Sequence, residues 1–193
     1  MTERIAIMVS QRLLLYQLIQ KEEQEWYQYC IQVRLERMLA CLLIGLCAAF
    51  FHVLPETVLF LLSFFMIRRH AGGFHANSFA GCMIISAGVY LCYVMALYPF
   101  LLRHPVMNDG ILLCSTIVIL VVGAVNHPNM AWNEREYHRS KWYARIALLL
   151  DLLIFAGMRL IRIPESYCLF MSFGVILSAV FLVLGKIIKQ EVK

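Results

Sequence analysis

Two side chains seven positions apart, His75 and Cys82, bring a potential general base and a potential thiol nucleophile into the run Arg68-Arg69-His70-Ala71-Gly72-Gly73-Phe74-His75-Ala76-Asn77-Ser78-Phe79-Ala80-Gly81-Cys82. A thiol activated by an imidazole is the chemistry of cysteine peptidases and acyltransferases. On one continuous helix the pair would share a face yet stand about 10.5 Å apart along the axis, beyond the reach of proton transfer. The chain must therefore break between them, and Gly72, Gly73 and the Asn77-Ser78 pair provide the break, letting His75 fold back over the helix that follows. Asn77 and Ser78 suit an N-cap and Phe79 a first helical position, so Cys82 falls in the first turn or so. Free backbone N–H groups and the helix dipole at that end favour a thiolate and would steady an oxyanion. Burial in lipid opposes the charge, so a polar pocket is required, with Arg68, Arg69 and His75 at hand to form one. His70, in the same loop, competes with His75 for the role of base.

The elements that must position this pair are membrane helices. The chain of 193 residues is 62% hydrophobic and 15% charged, with a strongly positive mean hydropathy, which excludes an ordinary soluble domain. At about 20 apolar residues per spanning helix there is room for roughly four to six spans and no separate soluble domain, so residues 1–193 read as one domain. Six apolar runs follow one another at roughly 37–53, 56–67, 79–102, 110–126, 145–161 and 166–187, giving a bundle over 37–187. The second run is short and reads either as a full span or as a partial, re-entrant one continuing from the first through Pro55. Before them, about the first 35 residues alternate apolar and polar positions at helical spacing and carry Glu22, Glu23, Glu25, Trp26, Tyr27 and Tyr29. They read as an amphipathic helix, either in the membrane interface or packed on the protein's own face. The expected fold is thus all-α: a polytopic membrane protein of about six transmembrane helices plus an N-terminal amphipathic helix.

Charge sets the expected orientation. With six spans, fourteen of the 17 Lys and Arg residues fall on the side of the N-terminus, and only Arg103, Arg159 and Arg162 fall on the other. The positive-inside rule then puts both termini and the His75 loop in the cytoplasm, and no signal peptide is evident. The net charge of +5 is explained by this sidedness, so nucleic-acid binding is not implied. The seven cysteines contain no CxxC pair and argue against a disulfide framework or a zinc site.

The string RRHAGGFHANSFAGC resembles the signature of the accessory gene regulator B family: an Arg pair, Ala-Gly-Gly, a catalytic His and a catalytic Cys seven residues later at a helix start. Length, the amphipathic N-terminus, the number of apolar runs and the basic loop after the fourth run are similar too. The resemblance implies a cysteine endopeptidase of the bacterial cell membrane that processes a signalling pro-peptide for quorum sensing. It maps His75 and Cys82 onto the catalytic pair and Arg68 and Gly73 onto supporting residues. It further implies an acyl-enzyme thioester, capture of the acyl group by a thiol or hydroxyl within the pro-peptide, a thiolactone or lactone product, a homodimer, and no metal or organic cofactor.

Two further features have two readings each. Asp151, about two turns into the fifth run, either orients His75 or grips Arg68, or it ties neighbouring helices or Arg145 together. Arg135, Arg139 and Lys141, with Arg69, either hold an acidic pro-peptide tail or simply anchor the cytoplasmic side; Glu134 and Glu136 interrupt the compact Lys run usual in the family. Arg159 and Arg162 read as side chains snorkelling to the outer interface. The alternative to an enzyme is a membrane transporter or scaffold that presents a peptide.

Overall fold

The computed structural model describes residues 2–74, 79–126 and 132–188, and these are almost wholly helical. Helices α1 (Thr2–Leu15), α2 (Gln24–Phe50), α3 (Leu54–Ala71), α4 (Phe79–Cys92), α5 (Tyr98–Arg103), α6 (Pro105–Val122), α7 (Glu134–Leu160) and α8 (Glu165–Ile187) follow in order. Each of the six apolar runs falls on a helix or a pair of collinear helices. Three stretches, Ala80–Arg103, Pro105–Val122 and Glu165–Ile187, are long and apolar enough to cross a membrane.

The N-terminal segment departs from the single amphipathic helix expected. It breaks after Leu15, where Gln17 takes φ 57°, passes through a short 3₁₀ turn (Lys21–Glu23), and resumes as α2, which runs without interruption into the first apolar run. α1 folds back along α2 and buries Ala6 and Ser10. Periodicity carries through both pieces and so cannot show the turn.

α4 and α5 form one rod interrupted by a π-helical turn at Tyr93–Leu97. The cause is Pro99 at the start of α5, which has no N–H and whose ring crowds the preceding turn; a wider turn relieves the clash without ending the helix. α8 is apolar on nearly all faces and lies at the centre, packed chiefly against α3 and α6, with α5 and α7 also in contact. On one side Phe173 stacks on Tyr93 (3.7 Å between centroids) and on Phe60 (4.9 Å), locking α8 to the α4–α5 rod and to α3. On the other, Leu182, Ala179 and Val175 pack with Ile67, Ala71, Ile119, Ala144 and Leu148.

Candidate functional site

The site grows from the end of α3. Its last turn carries Arg68, Arg69 and His70, and Gly72 closes the helix with φ 65° while its N–H returns to the Arg68 carbonyl at 3.2 Å. Gly73 follows at φ 106°, a conformation open to glycine and costly for any other residue. A Cβ there would also lie 2.5 Å from Arg68 Nη1 and 2.7 Å from the Phe181 carbonyl oxygen. Arg68 and Gly73, expected as supporting residues, are thus fitted to one another.

Arg68 clasps the segment that follows. Its Nη1 donates to the Gly72 carbonyl and its Nη2 to the Phe74 carbonyl, while the guanidinium lies over the Phe181 ring of α8, 5.2 Å from the centroid. The Phe74 N–H donates to the Phe181 carbonyl at 2.8 Å. A second strut comes from the α6–α7 connection, where Gly72 and Val125 form a parallel bridge and the Val125 N–H donates to the Ala71 carbonyl at 2.9 Å. Arg68 follows the last apolar residue of its run, Ile67. Burial lowers its pKa to about 10, against which the charge of Cys82 works to raise it. It stays cationic at neutral pH.

That interaction places Cys82 within electrostatic reach of Arg68. Cys82 is half-buried in the first turn of α4, which begins at Phe79 as expected. All seven cysteines are free thiols, and Cys92 and Cys114 are more exposed than Cys82. His75, Asn77 and Ser78 lie outside the described residues, as do Lys189 and Lys193. The structure therefore brings together Arg68 and Gly73, and it places Cys82 on the helix that follows their loop.

Asp151 sits deeper. It is 2% exposed and accepts a hydrogen bond from Ser63 Oγ, across the α3–α7 contact and five residues before Arg68, about 7.5 Å further along α3. Neither expected arginine reaches it: Arg68 is engaged with the 72–74 carbonyls, and Arg145 donates to the Leu120 carbonyl at 2.9 and 3.1 Å, capping the end of α6. Asp151 makes the helix-to-helix tie, with Ser63 as its partner.

The basic segment lies at the same end of the bundle as the Arg68 loop. Asn126 bonds both ways across the connection, to the Trp132 carbonyl at 2.9 Å and from the Trp132 N–H at 3.0 Å. Asn133 and Glu136 form a capping box that opens α7, which gives Glu136 a local task. Arg139 lies against Tyr143 (5.3 Å to the centroid), Lys141 against Tyr137 (4.3 Å), and Tyr143 reaches the His70 ring (5.4 Å). Among the described residues the only ion pairs are those of Arg159, so Arg69, Arg135, Arg139 and Lys141 have no carboxylate partner there.

Arg159 itself departs from expectation. Rather than reaching alone toward the interface, it bridges Asp109 of α6 at 3.0 Å and Glu165 of α8 at 2.5 Å. Its partners are 50 and 6 residues away, and the spacing of charges carries no sign of the first.

Sequence reasoning also missed Phe181 and Gly185. A Cβ on Gly185 would lie 2.8 Å from the Phe74 nitrogen and 2.9 Å from the Gly73 carbonyl carbon. A glycine in an apolar helix was the one available signal.

These features define an all-helical, membrane-type protein with a half-buried thiol at a helix start beside an arginine-held glycine loop. A family described as Accessory gene regulator B matches residues 2–184, and the chain belongs to that family. It is 29% identical over 136 residues to Accessory gene regulator protein B of Staphylococcus aureus (strain Newman), covering 68% of this chain and 67% of that protein. It is 35% identical over 81 residues to the protein of the same name from Staphylococcus epidermidis, covering 42% of this chain and 39% of the relative. No solved structure gives a significant match.

Proposed function

We propose that the protein is a membrane cysteine endopeptidase that removes the C-terminal tail of a signalling pro-peptide and promotes its cyclisation. Family membership supports a role in the agr quorum-sensing system, with an AgrD-like pro-peptide as substrate. The observation that carries the enzymatic reading is the placement of Cys82 in the first turn of α4, the helix that follows the Arg68-held loop at residues 72–74.

In this mechanism His75 takes the proton of the Cys82 thiol, and the sulfur attacks the carbonyl carbon joining the signal segment to its tail. The C–N bond breaks, His75 gives its proton to the departing amine, and the signal segment remains as a thioester on Cys82. A thiol or hydroxyl within the bound peptide then attacks the same carbon. The thioester C–S bond breaks, Cys82 recovers its proton, and a thiolactone or lactone leaves. A thioester keeps the activation that hydrolysis would discard, and an internal nucleophile held nearby needs no water.

The surroundings suit that task. The cations Arg69, Arg135, Arg139 and Lys141, without carboxylate partners among the described residues, lie at the Arg68-loop end of the bundle, and they suit an acidic segment. α2, α3 and α7 expose Leu42, Leu46, Leu62, Leu153 and Leu160 in quantity, which a bilayer or a second copy would cover. On this reading all six apolar helices of a single domain lie in the membrane, both termini and the site face the cytoplasm, and the protein acts as a homodimer.

Alkylation tests the nucleophile. A water-soluble reagent near neutral pH is expected to label Cys82 well before Cys30, which is also half-buried and lies outside the apolar runs, because activation and not exposure sets the rate. Labelling that simply follows exposure would favour a peptide carrier or scaffold.

A further inference from the structure

We propose that α8 carries the seat of the catalytic loop, with Phe181 and Gly185 as positioning residues for His75. This rests on the reading that His75 serves Cys82. The argument starts at Phe74, both of whose backbone polar groups are held: its N–H by the Phe181 carbonyl and its C=O by Arg68 Nη2. The peptide unit that contains this carbonyl is planar and also contains the nitrogen of residue 75. Holding the oxygen therefore fixes the last described residue before His75.

The Phe181 carbonyl lies inside a helix, where it points at the N–H four residues on, that of Gly185. A second donor can reach it only from the side, across the surface of residue 185. Any Cβ there would stand 2.8 Å from the Phe74 nitrogen and 2.9 to 3.0 Å from the Gly73 backbone, and these atoms have no rotamer by which to move away. Glycine at 185 is what lets the loop lie on the helix. The Phe181 ring under the guanidinium completes the seat, since the residue that accepts from Phe74 also supports the arginine that donates to it. α8 is the most buried helix, so the loop is referenced to the stiffest part of the molecule.

The test compares two glycines of one helix. Gly174 is also crowded, since a Cβ there would lie 2.6 Å from Ser63 Oγ and 2.9 Å from the Phe60 carbonyl oxygen, but it stands about three turns from the loop. Gly185→Ala is expected to lower the rate of tail cleavage at least tenfold with KM for the cognate pro-peptide within twofold, and to shift the acid limb of the pH–rate profile. Gly174→Ala is expected to lower thermal stability while turnover per folded molecule and the pH profile hold. Should Gly185→Ala not fold, Phe181→Leu keeps the carbonyl and much of the volume, removes the ring, and is expected to lose rate about threefold or more. Gly185→Ala, or in its place Phe181→Leu, cleaving at the native rate with the native pH profile would overturn the proposal. Cleavage that survives Cys82→Ala would instead overturn the reading beneath it, so the two failures are told apart.

Discussion

The two ends of the helix bundle are fastened by different means. At one end side chain meets side chain: Arg159 bridges Asp109 and Glu165, Ser166 bonds Glu56 at 3.2 Å, and the Thr57 and Tyr90 hydroxyls meet at 2.6 Å. At the other, side chains and glycine gaps hold backbone: Arg68 grips two carbonyls, the Phe74 N–H rests on α8, Val125 bonds Ala71, and Arg145 caps α6. Side-chain ties join helices and tolerate adjustment, because long side chains have rotamers to spare. Backbone ties fix where a chain goes. The difference teaches that the basic end is built to aim a loop, and the opposite end to keep helices together.

Removing Arg68 should separate the two ends most sharply. Arg68→Ala leaves the Gly72 and Phe74 carbonyls without their donor and is expected to lower tail cleavage by at least a hundredfold. Arg68→Lys should recover little, since one ammonium cannot reproduce a planar two-pronged fork. Release of the tail peptide from purified protein measures both, and a native rate in Arg68→Ala would dissolve the contrast.

Deep and distal ties should affect stability instead. Ser63→Ala strips Asp151 of its hydrogen-bond partner and is expected to cost about 1–3 kcal/mol. Arg159→Ala, whose pairs are partly exposed, is expected to cost about 1 kcal/mol or less. Thermal unfolding in detergent checks both, alongside turnover per folded molecule, which should hold. Turnover that collapses in Ser63→Ala at unchanged stability would move Asp151 into the catalytic apparatus.

The smallest effect concerns acid. Burial first, and then the Arg69 charge, hold the pKa of His70 below its ordinary value. The unfolded chain therefore takes up this proton before the folded one does, so His70 costs stability as pH falls below its unfolded value of about 6.5. His70→Gln should flatten that part of the stability curve slightly and change nothing above pH 7. An unaltered acid slope would show that burial beside Arg69 does not hold His70 neutral.

Local chemistry was the legible part of this chain. The apolar runs mark the helices, α4 starts at Phe79 as the sequence suggests, and Arg68 and Gly73, which the family resemblance singles out, are fitted to one another. What stayed hidden was the choice of distant partners. Asp151 announces itself as a buried acid, but nothing nearby in sequence singles out Ser63, 88 positions away. Arg159 reads as an isolated charge until folding brings Asp109 beside it. Gly185 matters through its nearness to residues 73 and 74, more than a hundred positions earlier. The break at residues 16–20 is invisible because helical periodicity continues on both sides of it.

The central claim is that Cys82 carries the acyl group. The direct measurement is intact mass after brief incubation with the cognate pro-peptide and an acid quench, on the native chain, Cys82→Ala and His75→Ala. The account predicts a mass increment equal to the N-terminal part of the peptide in the native chain, none in Cys82→Ala, and a greatly slowed appearance in His75→Ala. Tail release that persists in Cys82→Ala would contradict it.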